Sequence, residues 1–230
     1  ETILEFLRRK WELPREQAAL FGSWDTFNWI GESRAGAIFA NSGYQDPELP
    51  GASERFRELA RAQFEVLTPW RSVRNDYFTC ELALEYLRTV KPHVLYVALG
   101  ETDDWAHERR YDRTLETANY FDTCLTRLWD AAQQLPEFRE KTLLVATTDH
   151  GRGSSLENWN SHGEKVPEAA DTWQLWVGPG VPRAGHARIE GPAYSRDIVP
   201  TILKLLGIDP AEMPTVEGKP LSLGQARPVR

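Results

Sequence analysis

Long apolar runs are missing from this chain of 230 residues, which excludes a helical membrane span. The longest, around 94–99 and 143–146, fall far short of the roughly 20 residues that a bilayer requires. The first residues lack the pattern of a signal peptide and read as the middle of a domain, so the compartment stays open. Cysteine is scarce. The two present, Cys80 and Cys124, show neither a CxxC pair nor zinc-finger spacing; both fall in helix-like stretches and read as small core or half-buried thiols, with a disulfide between them the lesser alternative. There is no basic excess either: 27 Lys and Arg against 34 Asp and Glu leave a net charge of -7, with the two signs interspersed. Such a surface favours solubility and carries no footprint for nucleic acid or an anionic membrane. Internal repeats, low-complexity tracts and a convincing interdomain linker are also absent. With 41% hydrophobic residues, 1–230 is expected to form a single domain around one sizeable core.

What is present alternates between strand and helix patterns. Thr2, with Glu5 three residues on, predicts a capping box and a first helix. A strand is expected near Ala18–Gly22. Residues 23–50, rich in Trp, Gly, Asn, Ser and Pro without clear periodicity, suggest a long loop or a cap over the sheet edge that serves substrate binding. Apolar side chains at three- and four-residue steps predict helices over 52–66 and 76–90, the second capped by Asn75 or Asp76 and closed by Pro92. Residues 93–99, apolar on both faces, read as a central parallel strand ended by Gly100. Leu115, Ala118, Phe121, Leu125, Leu128 and Trp129 mark a long amphipathic helix over 111–135, stopped by Pro136. Strands at 142–147 and 173–177 follow, then a closing helix over 197–206 with Gly207 as its C-cap and a Pro- and Gly-rich tail, 213–230, wrapping the surface. This order implies parallel pairing through right-handed crossovers, hence an α/β fold with a mostly parallel central sheet flanked by helices.

The residues best suited to chemistry lie in three short motifs, two of them directly after apolar, β-branched runs, at strand ends where open α/β sheets bind ligands. Asp103 and His107 in Asp-Asp-Trp-Ala-His are four residues apart, so at the start of a helix both reach one ion. Taken alone, the pair reads as a helix N-cap followed by a surface histidine. Asp149 and His150 in Thr-Thr-Asp-His-Gly carry more weight than a plain polar loop, because two side chains costly to bury follow a buried strand and Gly151 lets the backbone turn sharply. His162 in Ser-His-Gly gains weight from lying twelve residues after His150, on a Gly- and Ser-rich loop able to fold back over the same strand end. Asp104 is an alternative to Asp103, while His93 and His186 read as solvated or structural. Glu101, Asp112 and Glu164 are candidates to orient ligating imidazoles, and Trp24, Trp29, Trp105 and Trp159 to line a pocket.

This succession of motifs resembles the alkaline phosphatase superfamily, in particular its type I phosphodiesterase and nucleotide pyrophosphatase members. Residues 193–210 also look like the closing helix of that superfamily and of its sulfatase relatives. The resemblance implies an alkaline phosphatase-like core and a metal-dependent phosphoric ester hydrolase, a phosphodiesterase or phosphatase acting on a small-molecule phosphoester. It implies two divalent metal ions about 4 Å apart, zinc, with manganese the alternative. Asp103, His107 and His162 match the ligands of one ion, Asp149 and His150 those of the other. Sulfatases hold a single calcium through oxygen ligands, so three histidines favour the phosphoesterase branch. The family pattern also has an Asp after the first strand and a Ser or Thr nucleophile some tens of residues later. Neither has a counterpart here, since Ser33 and Ser42 lie in the wrong place. The nucleophile is therefore expected upstream of Glu1, and the chain reads as the C-terminal two-thirds of a catalytic domain, inactive or weakly active alone, binding one metal better than two. A bared sheet edge would invite homo-oligomer formation or association with the missing N-terminal segment. The rival readings are a sulfatase, a cofactor-independent phosphoglycerate mutase-like enzyme, and a catalytically silent metal-binding module.

Overall fold

Helix α1 (Ile3–Lys10) begins as its sequence pattern predicts: the Thr2 hydroxyl accepts from the Glu5 N–H at 3.3 Å, and the Glu5 carboxylate accepts from the Thr2 N–H at 2.7 Å. The same carboxylate takes the Ser33 N–H and hydroxyl, so Ser33 serves the fold. The computed structural model describes residues 1–183, 185–187, 189 and 191–223, which fall into two compact units. The first holds Glu1–Pro136 with Trp159–Ser161; the second holds Glu137–Asn158 and the described residues from His162 onward. Residues 224–230 of the expected surface tail lie outside the described residues.

In the first unit, β1 (Ala18–Gly22), β2 (Phe39–Ser42) and β3 (Val94–Ala98) form a parallel sheet in the order β2-β1-β3. All of β1 is buried. Its alternation sends Ala19 and Phe21 into one cluster with residues of α3 (Glu54–Ala62) and α4 (Asp76–Thr89), while Ala18 and Leu20 meet Leu4 of α1 and Phe27 of α2 (Phe27–Ile30) on the other side. Tyr86 of α4 stacks on Phe39 at 4.8 Å and meets Phe21 edge-on at 5.2 Å, with its hydroxyl donating to the Glu16 carbonyl. An α/β class with a parallel sheet flanked by helices is thus observed.

Several local expectations need correction. Residues 23–50 are more than a loop, since α2 and β2 lie inside them. The apolar stretch of β2 runs only from Ala37 to Ala40 before Asn41 and Ser42, too short to show a period. The central strand of this sheet is β1, not β3; both are continuous apolar runs, and periodicity cannot rank them. On α6 (Tyr111–Gln134), which follows α5 (Glu101–His107), Leu115 and Ala118 of the expected apolar face are exposed. Cys80 of α4 and Cys124 of α6 form a disulfide, with Cα atoms 6.0 Å apart. That overturns the free-thiol reading: packing of α4 against α6 brings together two positions 44 residues apart, which spacing rules for short motifs cannot see.

In the second unit, β4 (Leu144–Thr147) and β5 (Gln174–Val177) pair antiparallel, with Leu144 opposite Val177. Parallel pairing was the expectation, but the segment 148–173 carries only a 3-10 turn at Pro167–Ala170 and not the crossover helix that a parallel step commonly uses. Helix α7 (Ile198–Leu205) is capped by Leu206, and Gly207 follows at φ 73°, a left-handed conformation that favours glycine. No helix among the described residues is long and apolar enough to cross a membrane.

Candidate metal centre

Helix α5 starts just beyond the C-terminal end of β3, and its four-residue spacing puts Asp103 and His107 one turn apart on the same side. Asp103 Oδ2 lies 3.2 Å from His107 Nε2, and both side chains are part-exposed. Two ligands of one tetrahedral ion with bonds of about 2.0–2.2 Å stand about 3.3–3.6 Å apart, so this pair, an ion-pair contact as it stands, lies just short of coordination spacing. Asp104, the alternative, is half-buried, and burial pushes its carboxyl up to about 6 against the pull of His107.

In the second unit, the strand β4 leads through Thr148 into Asp149, His150 and Gly151. His150 donates from its backbone N–H to Asp149 Oδ1 at 3.0 Å, and its Nε2 lies 3.6 Å from Asp149 Oδ2. The other ring nitrogen, Nδ1, is 2.9 Å from the Gly151 carbonyl, which can only accept. Nδ1 therefore donates in that contact, which fixes the orientation of the ring. The glycine is needed for close approach rather than for a left-handed turn: a Cβ at Gly151 would lie 2.3 Å from the carbonyl oxygens of Glu168 and Asp171. The loop after it does fold back, and the His162 ring stacks on His150 with centroids 3.8 Å apart and planes 16° from parallel. So within its own unit each motif is assembled: Asp103 with His107, and Asp149 with His150 and His162.

The other sequence candidates have different tasks. His93 Nδ1 lies 2.8 Å from Gln17 Oε1, a structural bond, and His186 is exposed. Asp112 is clamped by Arg110 and held down at about 2 by that pairing. Glu164 is exposed. Trp159 meets Tyr111 edge-on at 5.1 Å, Trp105 donates to Glu101, and Trp24 and Trp29 are exposed.

Sequence reasoning missed a buried polar network under α5. Arg74, Asp76, Ser23, Thr79 and Asn41 are all at most 1% exposed. The Asp76 carboxylate accepts from Ser23 Oγ at 2.5 Å and from the backbone N–H groups of Gly100 at 2.8 Å and Glu101 at 3.1 Å. Glu101 returns the contact, its carboxylate accepting from the Asp76 N–H at 2.7 Å. Burial, reinforced by the Glu101 carboxylate, pushes Asp76 up to about 7 despite the opposing hydrogen bonds from Ser23, Gly100 and Glu101; burial raises Glu101 as well. A carboxyl whose folded value exceeds its unfolded value holds its proton more tightly when folded. Its contribution to stability is fully present below about pH 4 and is lost as the pH rises through about 7. Urea unfolding of the wild type minus that of Asp76→Asn should therefore decline between about pH 4 and 7, by up to about 1.4 kcal/mol per pH unit, and level off above. A flat difference would show that Asp76 stays ionised throughout.

A family model described as "Metalloenzyme superfamily" matches residues 51–209, a span that contains all five candidate ligands. No curated protein matches the chain.

Proposed function

The chain belongs to the metalloenzyme superfamily, within the alkaline phosphatase-like group, and on that premise we propose that it acts in metal-dependent hydrolysis of phosphoesters, with Asp103, His107, Asp149, His150 and His162 as the metal ligands. The observation that carries the reading is the gathering of Asp149, His150 and His162 after β4: His150 Nε2 lies 3.6 Å from Asp149 Oδ2, its ring stacks on that of His162, and its Nδ1 is held by the Gly151 carbonyl. Three imidazoles and two carboxylates form a mixed nitrogen and oxygen set suited to zinc or manganese and poorly suited to calcium, which supports the phosphoesterase branch over a sulfatase. Divalent metal bound there would supply positive charge opposite the phosphoryl oxygens, where negative charge builds up during transfer. The side chains then have two tasks. Asp103 and Asp149 neutralise and fix, while the histidines supply nitrogen ligands, His150 being oriented by the contact of its second nitrogen with the Gly151 carbonyl. No hydroxyl of this chain is assigned as nucleophile.

The test is metal stoichiometry of the purified chain by elemental analysis and zinc titration, beside His150→Ala and His162→Ala. Each variant is expected to lose at least tenfold in affinity, on the scale of removing one ligand from a four-coordinate site. A wild type that takes up no metal when supplied would sink the proposal. Relative rates on aryl phosphate, phosphodiester and sulfate esters separate the phosphoesterase from the sulfatase reading, and turnover of none of them favours a silent module.

A further inference from the structure

We propose that Asp76 and Glu101 are positioning residues for the metal-binding face of α5, each capping the helix on which the other sits. This inference rests on the assignment of Asp103 and His107 as ligands. Helix α5 has no side-chain cap of its own at Gly100. The N–H groups of Gly100 and Glu101, which open the helix, are taken instead by the carboxylate of Asp76, the first residue of α4. The first N–H of α4 is taken in turn by Glu101, the first residue of α5. A helix that starts without a local cap leaves orphan donors, and supplying them from 24 and 25 residues away fixes where the helix points as well as whether it forms.

The two sides of α5 divide the work. Glu101 and Trp105 are one turn apart and bonded to each other, with Trp105 Nε1 donating to Glu101 Oε1 at 3.3 Å, and the Trp105 ring meets Trp70 edge-on at 4.7 Å. Asp103 and His107 lie two residues further along, about 200° around the helix and so on the opposite face. One face anchors the helix while the other presents ligands. With seven residues, α5 is too short to hold its own shape, so its geometry is inherited from the anchored side. Ser23 steadies the lock: its N–H donates to the Ala98 carbonyl, its own carbonyl accepts from Arg74, and its hydroxyl reaches Asp76. The lock thereby refers α5 to the ends of β1 and β3.

The experiment is a cobalt(II) titration of the full chain, read by the ligand-field absorption bands, together with amide hydrogen exchange over α5. The variants are Asp76→Asn, Asp76→Ala and, as control, Asn75→Ala, which removes only the local cap that α4 makes to the Tyr77 N–H. Asp76→Asn keeps the size of the side chain and so guards against a variant that fails to fold, but it turns an amide donor toward one of the two N–H groups. It is expected to weaken cobalt about tenfold, the usual effect of losing an outer partner of a ligand, and to speed exchange through α5. Asn75→Ala should stay within twofold on both measures. Asp76→Asn within twofold of wild type, or an equal loss in Asn75→Ala, overturns the positioning role. A wild type that binds no cobalt overturns the metal assignment and this role with it, and that blank titration is distinct from a wild type that binds alongside an indifferent Asp76→Asn.

Discussion

Replacing Arg74 with methionine is expected to destabilise the Glu1–Pro136 unit by about 3–5 kcal/mol, a large share of the stability of any domain. The guanidinium is fully buried, and each of its five N–H groups has an acceptor. Nε donates to Thr79 Oγ1 at 2.9 Å; one terminal nitrogen donates to Asn41 Oδ1 at 2.6 Å and Gln63 Oε1 at 3.2 Å; the other donates to the carbonyls of Gly22 at 3.1 Å and Asn41 at 3.0 Å. Two of those acceptors are backbone carbonyls near the C-terminal ends of β1 and β2, so one side chain ties two strands and two helices. Burial pulls the group down to about 9, opposed by the nearby Asp76 carboxylate, and it stays charged at neutral pH. Methionine fills much of the volume but removes the arginine donor from Thr79, Asn41 and Gln63, while the Gly22 carbonyl keeps the Gly43 N–H; each acceptor left without a donor that water cannot reach costs about 1–3 kcal/mol. The favourable interaction of Arg74 with the Asp76 carboxylate is lost as well. Lysine should be little better, because an ammonium offers three donors from a point rather than five in a plane. Urea unfolding followed by circular dichroism measures the loss; a shift below about 1 kcal/mol for Arg74→Met would mean that water or local repacking fills the gap.

Arg74 was invisible in sequence for a physical reason. Residues 70–76, Trp-Arg-Ser-Val-Arg-Asn-Asp, read as a polar approach to a helix, and a second arginine, Arg71, stands three places earlier in the exposed part of the same segment. Nothing local separates the buried one from the solvated one, since the acceptors that make burial tolerable come from positions 22, 41 and 63. The readings that succeeded depend on contacts within a few residues. Thr2 and Glu5, the placing of Asp103 and His107 one turn apart on a helix, and the runs that became β1, β3, β4 and β5 all carry their partners or their period in short windows. What failed needed distant pairing: β2, whose four residues gain meaning only beside β1, the antiparallel sense of β4 and β5, and the link from Cys80 to Cys124. The fold-back of His162 onto His150 lies between these cases, because a Gly- and Ser-rich loop permits the return without requiring it.

Removing the Cys80–Cys124 bridge is expected to cost about 4 kcal/mol on the chain-entropy estimate for a loop closed over 44 residues. The position of that loop matters more than its size. It encloses β3, α5 and the first half of α6, so the cross-link bounds the segment that holds Glu101, Asp103 and His107. In the oxidised chain, unfolding of α5 leaves its flanks joined; in the reduced chain, the same segment gains the full freedom of an open coil. Both cysteines are buried, 0% and 2% exposed, so a reductant reaches the bond only through opening, and native protein should resist mild thiol treatment that acts at once in urea. The double variant Cys80→Ala, Cys124→Ala avoids the kinetic problem. Its urea midpoint should fall to match the lost stability, and amide exchange over 94–107 should rise more than exchange in α1, which lies outside the loop. An equal rise in both places would mean that the bridge stabilises the unit only as a whole. A double variant within about 1 kcal/mol of wild type would mean that packing of α4 on α6 already supplies the restraint.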